Sequence, residues 1–195
     1  MKWVKATEPI VELLGLSKVI VEELKNKWEN SFLDDGKIIK SKKTRTENLF
    51  DLLTEFGDRK RYKVYSHGLS DGFKKNHKKF VNREWLFDLC WYSEVGHQYF
   101  LESIDLVVEA EWTNYRNKDK YGGIKYDFQK LLVVNMGLCL MVFEVTEKGR
   151  KDLSKYFEKV YDIYKGNKTE FLFIAFSRKE KTFYYSYLPK KQKDI

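Results

Sequence analysis

The chain has 195 residues, 43% of them hydrophobic, with 14 Phe, 13 Tyr and 5 Trp, which is ample material for one packed interior and excludes global disorder. Only 2 Pro and 11 Gly are present, so long unstructured linkers are excluded as well. Lys and Arg total 37 against 29 acidic residues, a formal net charge of +8; this surplus favours polyanionic partners such as nucleic acid, and competes with the reading of a lysine-rich surface that serves solubility alone.

Met1 to Lys5 lacks the apolar stretch and small-residue cleavage site of a secretory leader, so none is expected. Ile10, Leu13, Leu14, Val19, Val21 and Leu24 recur at near-helical spacing and predict an amphipathic helix over 8–30, with Gly15 and Ser17 as places where it divides. A basic loop, Lys37 to Arg45, follows. A second helix is predicted from Glu47 to Phe56, with Leu49, Leu52, Leu53 and Phe56 on one face and Gly57 just past its end; Thr44 and Glu47 have the spacing of a capping box. Val64-Tyr65 predicts a short strand, and a basic stretch from Gly68 to Phe80 comes next. Trp85 to Tyr92 and Leu101 to Trp112, rich in aromatic and β-branched residues, predict two strands. After a polar loop ending in Gly122-Gly123, a helix is expected over 124–135, then a strand from Leu138 to Val145 and a helix from Leu153 to Tyr164. Two last strands cover Phe171 to Phe176 and Phe183 to Leu188.

This order predicts an α/β domain with a mixed central β-sheet flanked by helices, spanning 1–195, its N-terminal helices within 1–57 and its core within 58–195. Cys90 and Cys139 stand in apolar runs without paired spacing, which predicts buried thiols in a reducing compartment rather than a disulfide framework or zinc knuckle. No apolar run approaches the length of a membrane span, so a cytoplasmic protein with no membrane partner is expected.

The most informative residues are carboxylates inside apolar segments. Asp88 is embedded in Trp85-Leu86-Phe87-Asp88-Leu89-Cys90-Trp91-Tyr92, and burial of an ionised carboxylate demands a partner or a metal. In Val108-Glu109-Ala110-Glu111-Trp112, strand alternation sends Glu109 and Glu111 to one face, where they repel each other unless a cation intervenes. The bland alternative places both on the solvent face of an antiparallel strand. A second acidic residue in a neighbouring apolar strand favours a site: such oxygen ligands suit magnesium, which keeps waters and leaves room for a phosphate oxygen.

Asp88 followed one strand later by Glu109-Ala110-Glu111 resembles the PD-(D/E)xK signature of restriction-endonuclease-like nucleases, over roughly residues 84–145. The resemblance implies a restriction-endonuclease-like fold and a magnesium-dependent endonuclease, with manganese as an alternative ion. Asp88, Glu109 and Glu111 are then the metal-binding carboxylates and DNA the substrate. The signature's usual lysine is replaced here by Glu111, and Phe87 stands where its proline would be. Either Glu111 is itself a base or further ligand, or the positive charge comes from Lys130, which shares a helical face with Asp127. Glu47, Glu55, Glu84 and Asp105 rank behind these residues.

Lys74, Lys75, Lys78 and Lys79 before Asp88, and Arg116, Lys118 and Lys120 after Glu111, flank the acidic cluster and are the expected nucleic-acid contacts; each stretch alone reads equally as a solvated loop. His67, His77 and His97 lack zinc-ligand spacing, no serine stands in a nucleophile elbow, and Gly122-Gly123 is a weak phosphate motif. The alternatives are a non-catalytic nucleic-acid-binding module that keeps the nuclease fold, and a protein-interaction domain. A homodimer would suit a duplex-cutting enzyme.

Overall fold

The computed structural model describes residues 1–10, 12–77, 86–112, 115–116, 118–135, 137–166 and 169–190, the side chains of 115 and 116 excepted. In chain order these form β1 (Val4–Lys5), α1 (Gly15–Phe32), the hairpin β2 (Leu33–Asp34) and β3 (Lys37–Ile38), α2 (Lys42–Arg59), β4 (Lys63–Ser66) and α3 (Asp71–Asn76). There follow β5 (Leu89–Glu94), β6 (Leu101–Glu111), the hairpin β7 (Tyr115–Arg116) and β8 (Asp119–Lys120), α4 (Gly122–Leu132), β9 (Leu138–Glu144), α5 (Glu147–Ile163), β10 (Glu170–Ser177) and β11 (Thr182–Leu188). One mixed sheet of seven strands runs β1-β11-β10-β9-β6-β5-β4. β4, β5 and β6 pair antiparallel; β6, β9 and β10 pair parallel, joined through α4 and α5; β11 and β1 return antiparallel.

Alternation along the strands feeds a core on each face. Leu106, Val108, Leu138 and Leu140 face the side on which α1 and α2 bury Ile20, Leu24, Trp28, Leu49 and Leu53. Val107, Cys139, Met141 and Phe143 face the other side, where Phe128 of α4 and Phe157 of α5 pack on Phe171 and Phe173. The protein is therefore an α/β fold with helices on both faces of a mixed sheet.

Element boundaries depart from the sequence expectation at places with physical causes. The first helix starts at Gly15 rather than near residue 8, because Glu12 and Gly15 hold left-handed φ values of 67° and 52°. The second starts at Lys42, capped by Ser41, whose side chain accepts the Thr44 N–H; the expected Thr44–Glu47 box is not the cap, and the expected basic loop is β3 plus a first helical turn. Gly57 lies inside α2, not beyond it. A methyl group there would stand 2.6 Å from Trp91 Nε1, which donates to Leu53 O at 3.1 Å, so glycine permits α2 to approach β5. β5 begins only at Leu89: Leu86 is 77% exposed, and Asp88 precedes the strand. α4 spans Gly122–Leu132 instead of 124–135, and α5 starts at Glu147, six residues earlier than its apolar spacing suggests, with Thr146 as its cap. Among the described residues no helix is long and apolar enough to cross a membrane.

Candidate active site

β5 and β6 leave the sheet in opposite directions, so the start of one meets the end of the other. Their last Cα pair at this end is Leu89↔Val108, which brings Asp88 opposite Glu109. Asp88 is pinned there: its Oδ2 accepts the Ala110 N–H at 2.9 Å, and its carbonyl accepts the His67 N–H at 2.7 Å. Glu109 pairs in parallel register with Met141 and is 2% exposed on the α4–α5 face. Glu111, two residues on, projects from that face against the first turn of α4, where a methyl group on Gly123 would lie 2.5 Å from its Oε2. A carboxylate at a helix N-terminus is favoured by the positive end of the helix dipole. From the last turn of α4, Lys130 reaches back, its Nζ 2.6 Å from Glu109 Oε1 and 3.9 Å from Asp127 Oδ1. Apart from this ammonium contact, the buried Glu109 Oε1 has no other polar partner.

The electrostatics follow from this crowding. Burial, then the adjacent Asp88 charge, push the Glu109 carboxyl up to about 8, against the opposing pull of Lys130. Burial likewise raises Asp88, only partly offset by the Ala110 N–H and by the charges of Lys130 and His67, with Glu111 adding to the rise. Burial acts against the Lys130 ammonium, but contact with Glu109 and the fields of Asp127 and Asp88 outweigh it and hold its pKa above the usual lysine value. Lys130 is thus held charged beside two carboxyls whose ionisation burial opposes. Asp88, Glu109, Glu111 and Lys130 are brought together at one end of the β5–β6 pair.

Comparison of the chain with protein-family models, with curated proteins and with solved structures finds no match. Function must therefore be argued from the site.

Among the described residues, no group of three or more His, Cys, Asp or Glu side chains is arranged to hold a metal ion. Lys130 is lodged against Glu109, and Glu111 rests on α4. The basic residues expected around the site separate into groups. Lys74 and Lys75 lie on α3, which packs through Phe73 on the α1–α2 core, the face opposite Glu109; Lys74 pairs with Asp71 at 3.6 Å. Lys118 and Lys120 are exposed on the β7–β8 hairpin that follows Glu111, with Lys120 Nζ 4.9 Å from the Tyr121 ring centroid. Lys78, Lys79 and the Arg116 side chain lie outside the described residues, as does Glu84. Glu47 pairs with Lys43 on α2, and Glu55 is exposed there. Asp105 accepts from Ser103 at 2.7 Å.

Two contributors escaped the sequence. Gly123 is needed for the close approach of Glu111, not for a phosphate loop; the Gly-Gly pair was its only signal. Tyr121, in a left-handed conformation at φ 71°, caps α4 with its hydroxyl buried, without a hydrogen-bond partner, and a methyl group at Gly149 in the first turn of α5 would lie 2.9 Å from it.

A stability test follows from Glu109. A carboxyl whose folded pKa is raised contributes stability that is complete below its unfolded value near 4.5 and is lost as pH rises through about 8. Glu109→Gln removes this ionisation. The Tm of the variant relative to wild type should climb between about pH 5 and pH 9, measured by thermal melts in chelator; a pH-independent difference contradicts the assignment.

Proposed function

We propose that the chain is a metal-dependent nuclease that hydrolyses phosphodiester bonds of DNA, built on a restriction-endonuclease-like core of the PD-(D/E)xK kind. The observation that carries this reading is the buried Glu109 facing Asp88 beside Lys130, with both carboxyls pushed up. Such an arrangement opposes stability and is typical of functional sites. The antiparallel β4–β5–β6 group followed by α4 and the parallel β9 gives further support, since it sets the carboxylates of two neighbouring strands at one end of the sheet.

The residues fit magnesium or manganese. Their donors are hard oxygens, Asp88 and Glu109 face each other at one end of the strand pair, and magnesium is commonly held by one or two carboxylates with waters and phosphate oxygens completing its shell. Asp88 and Glu109 would hold the ion, with Glu111 as a further ligand. When bound, it polarises the phosphate and acidifies an attacking water. Asp88 and Glu109 orient the reacting end of the site, the former fixed by the Ala110 N–H. Lys130, on a flexible stem, exchanges its contact with Glu109 for a phosphate oxygen and offsets the charge that develops there. Glu111 is the group placed to accept the proton of the water if it does not ligate.

The test is incubation of the purified protein with plasmid and with short single strands. Cleavage is expected with magnesium or manganese and none in chelator; full activity in chelator refutes the mechanism. The presence of Glu111 where the signature has lysine favours one rival, a nucleic-acid-binding module without turnover. Salt-sensitive binding without cleavage in either metal would select it.

A further inference from the structure

A groove of ≈ 810 Å³ opens at the N-terminus of α5, lined among others by Lys148, Arg150, Lys151, Arg178 and Lys179. Three glutamates also line it, and each is already engaged: Glu144 by Arg45 and Arg178, Glu147 by Lys151, and Glu180 by Lys5, Arg150 and the Tyr184 hydroxyl. Five lining cations, with Arg45 and Lys5 behind them, thus face three carboxylates, and the balance is positive.

Arg150 gives an independent sign of a missing anion. It is 5% exposed, its guanidinium stacks 3.6 Å from the Tyr184 ring centroid, and its buried Nη1 has no hydrogen-bond partner. The nearest carboxylate to Nη2 is Glu180 at 3.8 Å, too far for a hydrogen bond. The first-turn amides of α5 add the positive end of a 17-residue helix; the Thr146 hydroxyl accepts the Gly149 N–H and its carbonyl the Arg150 N–H.

The position of the groove relates it to the carboxylates. Glu111, Phe143 and Ala175 form one row across β6, β9 and β10; Val145 and Ser177, two residues further on, continue that face and line the groove, while Glu144, which also lines it, turns to the other face and meets Arg45. At about 4.8 Å per strand and about 3.3 Å per residue the groove starts roughly 10 Å from Glu111, a separation that one DNA strand covers within a few nucleotides. Tyr121 bridges the interval, capping α4 beside Glu111 and abutting Gly149 of α5.

From this we infer that the α5 groove holds the phosphodiester backbone of the nucleic acid on one side of the bond to be cut. The inference rests on the nuclease reading for the words "to be cut" only; backbone binding stands without it. The experiment is fluorescence anisotropy in EDTA with a labelled single strand and the matching duplex, across 50–200 mM salt. Wild type is compared with Lys148→Glu/Lys179→Glu and with Lys27→Glu/Lys60→Glu, a charge-matched control on α1 and just past α2. The groove variant should weaken binding about tenfold or more at 0.1 M salt and flatten the salt dependence by about two in log–log slope, whereas the control should change it less than about twofold. Equal effects in both variants, no effect in either, or no binding by wild type overturns the inference. So does a groove variant that loses competition by inorganic phosphate but keeps wild-type oligonucleotide affinity, since the site then serves small phosphates. Groove-dependent binding with no metal-dependent cleavage sinks the nuclease reading alone; Asp88-dependent cleavage indifferent to the groove variant sinks the groove alone.

Discussion

Asp88→Ala and Glu109→Gln each lower magnesium-dependent cleavage by about 10²–10³-fold or more while the protein stays folded. The expectation comes from geometry. Asp88 and Glu109 face one another at the end of β5 and β6, and no other pair of described carboxylates is so placed beside a lysine with both pKa values raised. Loss of either removes one of the carboxylates that would hold the ion. Folding should survive, because Glu109 is a buried acid that the fold tolerates rather than needs, and glutamine fills the same volume without the charge. Lys130→Met separates roles: if the lysine serves the transferred charge, the rate falls while magnesium affinity stays or rises, since Glu109 is freed. Initial rates on a labelled duplex, with circular dichroism melts on the same samples, decide the matter. Variants that cut at the wild-type rate remove these residues from the chemistry.

Arg45 carries the second large effect, on stability. It is fully buried from α2, lies 4.8 Å from the Trp112 ring centroid and 5.7 Å from that of Phe176, and pairs with Glu144 at 2.5 Å. Burial lowers its pKa against the raising effect of Glu144, and its Nε and Nη2 have no hydrogen-bond partner. Arg45→Ala should cost about 3–5 kcal/mol, from the cavity under Trp112 and the lost partner of Glu144, which for a chain of this size lowers Tm by roughly 10 °C. Arg45→Met should stay within about 1 kcal/mol of wild type, since it keeps the volume, removes two unbonded nitrogens, and leaves Glu144 its second partner, Arg178, at 2.9 Å. Urea unfolding of the two variants checks this. An equally large loss in both would make the guanidinium's charge, not its volume, the source of stability.

Much of the fold was legible because its strands carry strong apolar signals. Leu138 to Glu144 and Glu170 to Ser177 are parallel strands buried on both faces, and their continuous apolar runs name them without ambiguity. Helix starts were less legible, since a cap is a single polar residue. Ser41 and Thr146 begin α2 and α5 several residues before the first periodic apolar side chain. By its neighbours Arg45 ends a basic loop, and nothing local announces that Trp112, Phe176 and Glu144, all distant in sequence, enclose it.

Sequence by itself determined the alternation that puts Glu109 and Glu111 on one face, and the oddity of acids among apolar neighbours that drew attention to Asp88. These are properties of strand geometry and of the unfavourable transfer of charge out of water, and both are local. Tertiary structure decided the rest: that the β5–β6 register sets Asp88 against Glu109, that Lys130 fills the space beside them, that Glu111 rests on Gly123, and that Lys74 and Lys75 fall on the far face. Register and helix docking depend on contacts between residues far apart along the chain, and a pKa depends on everything packed around the group, so neither can be read from neighbours in sequence.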